Sequence, residues 1–190
     1  MPNTGPMNKL RRMIDRALRY GRLPEEMDTV RTSLARLHSA NMESGPDLDD
    51  PRKAEFRAFS QFGEDGILLY ILSRTGGDVP RTFVEFGVDD YREASTRLLA
   101  ELGGWTGFVM DASNKNIRRV RRSSIMWRSN LTARSAFVTA ENIDTLLHEA
   151  GRGGDTGVMV IDIDGNEYWI WQAISSCLSL IHISEPTRLQ

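Results

Sequence analysis

Short apolar runs alternate with segments of helical periodicity over most of this chain. Four runs have the length and composition of buried parallel strands, namely 82–86, 106–110, 136–139 and 158–161. Between them, apolar positions recur at helical spacing, as they do from about 93 to 102, before Gly103 and Gly104. Strand and helix in regular alternation predict an α/β domain with a parallel sheet, here of four strands.

The first fifty residues have a different pattern, which predicts a helical extension and a linker. Apolar periodicity predicts an amphipathic helix over 7–20 and a second helix over about 24–42, separated by Gly21 and Pro24. Arginines dominate the polar face of the first helix. This helix therefore has two interpretations, packing on its own domain or peripheral contact with an anionic membrane surface. Residues 44–51 are the predicted linker.

Composition and charge narrow the class of protein. With 40% hydrophobic and 26% charged residues the chain is globular, and its net charge of -2 argues against nucleic acid as a partner. The single cysteine, Cys177, excludes an internal disulfide and a thiolate zinc cluster, which fits a reducing cytoplasm. No apolar run approaches the roughly 20 residues of a membrane span. We therefore expect a soluble cytoplasmic protein whose main partner is not nucleic acid.

The first strand and the turn after it organise the predicted domain. The strand carries Glu85 and breaks at Gly87. Glycine lets a backbone approach a bulky ligand closely, and a nearby carboxylate can accept hydrogen bonds from an ammonium or hydroxyl group. The alternative is that Gly87 only ends a buried strand and Glu85 is solvated. On the ligand hypothesis, Gly87→Val should abolish ligand binding at a smaller cost to the fold.

Acidic residues also follow the second and fourth strands. Asp111 lies some two dozen residues beyond Gly87, near the offset at which a strand-end acid binds the ribose of a nucleotide. Asp162, Asp164 and Glu167 follow the fourth strand. Burying them unpaired would cost several kcal/mol each, so we expect them to line a wet cleft. The alternative is that Asp164 caps the next helix, with Glu167 in the capping-box position.

With these residues placed, the chain resembles the class I S-adenosylmethionine-dependent methyltransferases, most closely the FkbM-type branch. The resemblance covers roughly 59–174 and is most specific in three segments, 60–65, 83–87 and 162–167. The last is similar to the branch's Asp-Val-Glu-Gly-x-Glu segment, with aspartate where glutamate is usual. No second or third glycine follows Gly87, so the fingerprint of dinucleotide binding is absent, which counts against a nicotinamide cofactor.

The resemblance implies a Rossmann-like domain and methyl transfer from S-adenosylmethionine to a hydroxyl of a sugar or other small metabolite, including a glycan acceptor. It implies that Glu85 and Gly87 flank the methionine part of the cofactor. Asp111 would hold the ribose hydroxyls, and Glu141 would lie near the adenine.

The resemblance places Asp162 and Asp164 at the reacting methyl group and the acceptor, as the candidate catalytic residues. Either could serve as the base for a hydroxyl acceptor. A divalent cation bound by the same carboxylates is the alternative, since it would lower the pKa of the hydroxyl. The rival function from another class is a non-catalytic nucleoside-binding or scaffold module associated with glycan synthesis.

The end of the chain departs from this pattern. Residues 178–188 resemble the translation of a transposon-type sequencing-library adapter, so 178–190 are expected to be a non-native tail. The methyltransferase domain would then cover 51–177 and be C-terminally truncated, with four of the family's roughly seven strands. We expect the fourth strand to have an open edge, Trp169 and Trp171 to be poorly covered, and the chain as written to be unstable and inactive.

Overall fold

A computed structural model of the chain describes residues 6–45, 47–75 and 79–184, with side chains from residue 23 onward. The helices and strands in chain order are α1 (Pro6–Ser44), α2 (Glu64–Arg74), β1 (Thr82–Phe86), α3 (Arg97–Leu102), β2 (Thr106–Asp111), α4 (Asn114–Arg122), α5 (Ile125–Arg128), β3 (Asn130–Ser135), α6 (Ile143–Glu149), β4 (Thr156–Ile161), α7 (Glu167–Ala173) and β5 (Ser179–Ser184). A short 3-10 helix, Pro51–Ala54, precedes α2.

The five strands form one parallel sheet in the order β3-β2-β1-β4-β5. β1 lies at its centre, where Glu85 pairs with Val109 of β2 and with Val160 of β4. The chain proceeds from β1 to β2 and β3 on one side, and β4 and β5 occupy the other side. Open α/β sheets bind ligands at such a switch point, at the carboxyl ends of the strands. The predicted α/β class and parallel sheet are confirmed, and the architecture is compatible with a Rossmann-like fold.

Helices cover both faces of the sheet, which explains why its central strands are apolar throughout. On one face Phe83, Val109 and Val158 pack with residues of α2, α3, α4 and α5. On the other face Val84 and Met159 pack with residues of α6 and α7. The two clusters bury the central strands and leave their carboxyl ends accessible.

The third strand lies earlier in the chain than the predicted 136–139. β3 consists of residues 130–135, in which only Leu131 and Ala133 are buried. An edge strand with so few buried side chains has a weak apolar signal, which is why the pattern misplaced it. The predicted residues instead form the loop after β3, where Phe137 is 73% exposed.

The N-terminal extension is one helix, and the predicted break at Gly21 and Pro24 is wrong, because Pro24 lies inside α1. A proline removes a single backbone donor, which a long helix can tolerate. The side chains of 7–20, for which membrane contact was an alternative, lie outside the described residues. In the part of the chain that is described, no helix combines the length and apolarity needed to span a membrane.

The C-terminal half of α1 packs on the domain. Arg97 of α3 forms an ion pair with Asp28 at 2.5 Å, and both side chains are largely buried. Arg36 donates a hydrogen bond to the carbonyl of Leu102 at 2.9 Å. Ala35 is completely buried in a cluster with residues of α2 and α3. This half of the extension therefore belongs to the same packed structure as the sheet.

Residues 179–184 form the fifth strand, contrary to the expectation that the tail lacks strand structure and leaves β4 with an open edge. β5 pairs in parallel with β4, with Ile181 opposite Val158 and Ile183 opposite Val160. Both isoleucines pack against the core. Two β-branched residues at alternate positions are sufficient for a strand, and Ser184 ends it rather than prevents it. Trp169 and Trp171 remain 61% and 52% exposed, as expected.

Substitutions at neighbouring positions of β5 should have unequal effects on stability. Ile181→Ser is expected to lower the free energy of unfolding by about 1–3 kcal/mol, because it removes apolar contacts with the core. Leu180→Ser, at a side chain that is 60% exposed, should change it by less than about 0.5 kcal/mol. Urea unfolding of both variants measures the difference. Equal, negligible effects would show that β5 does not contribute to the folded sheet.

Candidate functional site

A cleft of about 1030 Å³ opens at the carboxyl edge of the sheet. Eight carboxylates line it, contributed by Glu64, Glu85, Asp89, Glu93, Asp111, Asp162, Asp164 and Glu167. Among the described residues that form its wall, none is lysine, arginine or histidine. Like charges concentrated in a concave site produce a strong field of one sign. The cleft therefore disfavours phosphate-bearing ligands and favours cations and ligands rich in hydroxyl groups.

Glu85 reaches the cleft from near the end of β1, and its side chain is only 3% exposed. Its two carboxylate oxygens accept hydrogen bonds from the backbone N–H groups of Ser95 and Thr96 at 3.0 and 3.1 Å, and from the Thr96 hydroxyl. Burial and, to a smaller extent, the charge of Asp162 raise the pKa of Glu85 to about 7, against the lowering effect of these donors. Glu85 thus both lines the cleft and holds the segment before α3. This segment is not helical, so α3 starts at Arg97 rather than near 93.

Gly87 forms the turn after β1 with a φ of +83°, and its N–H donates to the carbonyl of Met110 at 2.8 Å. A Cβ added here would lie 1.6 Å from the backbone oxygen of Asp162. The glycine is therefore required by the close approach of two strand ends, whatever ligand the cleft binds. The expectation that a larger side chain would cost the fold little is corrected by this contact.

Asp111 ends β2 and is bonded to the neighbouring turn. Its Oδ2 accepts from the backbone N–H of Asp89 at 2.9 Å, and its Oδ1 accepts from that of Ser113 at 2.7 Å. Asp89 has a φ of +51° and accepts a hydrogen bond from the side chain of Asn116 at 2.6 Å. Asp89 was not singled out from the sequence. The sequence signal that could have identified it is its position two residues after Gly87.

The loop after β4 brings Asp162 and Asp164 into the cleft wall, Asp162 half-buried and Asp164 exposed with a φ of +57°. The capping interpretation of Asp164 is wrong, because the N-cap of α7 is Asn166. Glu167 accepts instead from the N–H groups of Ile163 and Gly165, at 3.3 and 2.9 Å. It thus closes the loop that carries both aspartates.

Asp65, in the first turn of α2, holds the segment before that helix, which forms a further part of the cleft wall. Its Oδ2 accepts hydrogen bonds from the N–H groups of Ala58, Phe59 and Ser60 at 2.6–2.8 Å. Burial raises its pKa, and these donors oppose that shift. The folded-over segment places Gln61 on the cleft wall, together with Glu64. The sequence signal for this arrangement was the segment 60–65, which begins with Ser60 and ends with Asp65.

Glu141 is the predicted site residue that the structure leaves out of the main cleft. It is exposed and lines a separate cavity of about 260 Å³, together with Phe137 and Trp169. Phe137, Val138 and Asn166 border both cavities, so the two adjoin. The other five predicted residues, Glu85, Gly87, Asp111, Asp162 and Asp164, all line the main cleft. Parallel topology brings those five together as the sequence predicted.

The predicted metal alternative finds no ligand set in the part of the chain that the structure describes. No group of three or more histidine, cysteine, aspartate or glutamate side chains is arranged there to hold an ion. Comparisons of the chain with protein-family models and with curated proteins gave no match. The geometry of the cleft is therefore the basis for assigning a function.

Proposed function

We propose that the cleft binds S-adenosylmethionine and that the protein transfers its methyl group to a hydroxyl of a small molecule such as a sugar. The observation that carries this proposal is a cleft at the switch point of a parallel sheet, lined by carboxylates and by no basic side chain. A sulfonium and an ammonium are attracted to such a wall, whereas the pyrophosphate of a dinucleotide is repelled. The absent glycine fingerprint supports the same preference.

The residues of the central strand ends would hold the nucleoside. Asp111 has carboxylate oxygens at the cleft edge, which retain acceptor capacity for ribose hydroxyls beside the two N–H groups they already bind. Gly87 presents backbone without a side chain between Glu85 and Asp111. Gln61, Ser95 and Asn166 contribute uncharged polar groups to the wall.

The acceptor would be activated by the loop after β4. When bound, S-adenosylmethionine supplies a methyl group on a positively charged sulfur. Asp162 or Asp164 would take the proton of the acceptor hydroxyl, whose oxygen would bond to the methyl carbon as the carbon–sulfur bond breaks. Much of the acceleration in a displacement of this kind comes from positioning. Glu167 contributes to it by holding the loop that carries both aspartates.

Asp111→Ala is expected to weaken binding of S-adenosylmethionine by about 1.5–3 kcal/mol, because it removes hydrogen bonds to a charged acceptor. Isothermal titration calorimetry measures this. Asp155→Ala is the matched control, since Asp155 is exposed and precedes β4 at the opposite edge of the sheet. The control should bind as the unaltered protein does.

Titration with NAD and a methylation assay discriminate between methyl transfer, a nicotinamide-dependent function and the scaffold alternative. Binding of S-adenosylmethionine without binding of NAD supports the proposal, and comparable binding of NAD contradicts it. If the cofactor binds but a panel of sugars is never methylated, the scaffold alternative is favoured. Unchanged affinity in Asp111→Ala would contradict the role of Asp111.

A further inference from the structure

The outer surface of α1 carries a row of exposed apolar side chains, which we call the outer stripe. It consists of Leu23, Met27, Val30, Leu34 and Leu37, which are 45% to 65% exposed. Their spacing alternates between four and three residues. This is the heptad period of a coiled-coil seam rather than the broader apolar face that a helix packs on a globular core.

The domain does not use this stripe. α1 packs inward through a different set of positions that includes Asp28, Ala35 and Met42. At 100° per residue, these positions lie about 120° around the helix from the centre of the stripe. Large apolar side chains exposed in a continuous row are unusual on a monomer and mark an interaction surface.

We propose that the outer stripe pairs with the same stripe of a second copy of this chain, as a parallel two-stranded coiled coil. The heptad phase places Met27 and Leu34 at a positions, and Leu23, Val30 and Leu37 at d positions. The next a position is Asn41, which is exposed. A single asparagine at an a position specifies register and a two-stranded state in coiled coils.

The charges that flank the stripe indicate parallel orientation and self-pairing. Glu26 occupies a g position, and Arg31 occupies the e position of the next heptad. A parallel pair brings Glu26 of each copy to Arg31 of the other copy, whereas an antiparallel pair matches g positions with g positions and does not form this contact. Among the described residues, Arg31 makes a 3.7 Å ion pair with Asp28 and lies 6.0 Å from the Phe59 ring, and 47% of its side chain is exposed. Its remaining donors can therefore reach the second copy.

The described length of α1 is also consistent with pairing with a second copy of the chain. The α1 backbone continues for 39 residues, from Pro6 to Ser44. The helix therefore contains the whole stripe and extends beyond it at both ends. The stripe itself spans about two heptads, so the interface lies toward the small end of specific interfaces. We therefore expect a dimer whose population depends on concentration in the micromolar range.

Sedimentation equilibrium of the full chain tests the proposal over about 1 to 100 µM. The mass should rise from 21.5 kDa toward twice that value. Val30→Glu/Leu34→Glu should weaken dimerisation at least tenfold, because it places charge in the seam. Thr29→Glu is the matched control: Thr29 is exposed, lies off the stripe, and its hydroxyl donates to the carbonyl of Glu25 in the same helix. It should dimerise like the unaltered protein.

A charge exchange tests orientation with little risk to the fold. Glu26→Arg alone should weaken the dimer, and adding Arg31→Glu should restore it. Circular dichroism checks that each variant is folded. If Val30→Glu/Leu34→Glu does not fold, the proposal is judged on the variants Glu26→Arg and Glu26→Arg/Arg31→Glu. The proposal is overturned if the unaltered protein stays monomeric at 100 µM, if both stripe and control variants behave alike, or if the second charge change fails to restore pairing. A monomer that instead floats with anionic vesicles would identify a membrane as the occupant.

Discussion

Gly87→Ala is expected to lower the free energy of unfolding by more than about 4 kcal/mol, a loss that single substitutions rarely cause. The added Cβ would lie 1.6 Å from the backbone oxygen of Asp162 and 2.7 Å from its carbonyl carbon. Neither atom can rotate away, because Asp162 N–H donates to the carbonyl of Phe86 at 3.1 Å and ties the two strand ends together. Relief would require β1 and β4 to separate at the centre of the sheet.

Gly103→Ala separates this overlap from backbone strain. Gly103 has a φ of +80°, close to that of Gly87, but an added Cβ would have no neighbour within 4 Å. It should therefore cost only about 1–2 kcal/mol, the strain of a left-handed conformation. Urea unfolding measures both variants, and failure of Gly87→Ala to fold counts in the expected direction. Equal losses in the two variants would show that the strand ends do not make this close approach.

The stability contributed by Glu85 is expected to fall by roughly 3 kcal/mol as the pH rises from about 4.5 to about 7. Burial raises the pKa of Glu85 from 4.5 to about 7 in the folded protein. Below pH 4.5 the carboxyl group is protonated in both the folded and unfolded states, so it carries no penalty. Above pH 7 it is ionised in both, and the folded state bears the full cost of a buried charge.

Comparison with Glu85→Gln isolates this effect. The amide does not titrate, so the difference in unfolding free energy between the unaltered protein and the variant should shrink with rising pH. Lost hydrogen bonds to Ser95 and Thr96 add only an offset that is independent of pH. Glu93→Gln is the control, because Glu93 is exposed and pairs with Arg57 at 3.2 Å. A difference that stays constant for Glu85→Gln would mean that the carboxyl group is not buried as described.

The sequence predicted the central strands well, because their signal is local. β1, β2 and β4 are buried on both faces, so each is a continuous apolar run. Edge strands have less to bury, and their signal is correspondingly weak. β3 was therefore misplaced into the loop that carries Phe137, and β5 was dismissed although Ile181 and Ile183 pack on the core.

The sequence also predicted which acids would meet, because parallel strands end at one edge. That rule brings Glu85, Asp111 and Asp162 to one cleft without any knowledge of their side-chain contacts. It cannot say what each group binds. The donors to Glu85 come from Ser95 and Thr96, which depend on how the chain folds back after the turn.

By itself, then, the sequence determined the class of fold, the edge of the sheet that carries the cleft and the acidic character of that cleft. The alternation of strands and helices along the chain is sufficient for the first two, since it follows from local patterns of apolar residues, and the acids that follow the strands are sufficient for the third. Only the tertiary structure shows that the close approach of Asp162 requires glycine at position 87, which face of α1 stays exposed, and that Glu141 lies outside the main cleft. Each of these depends on distances between segments far apart in the chain, which no local pattern contains.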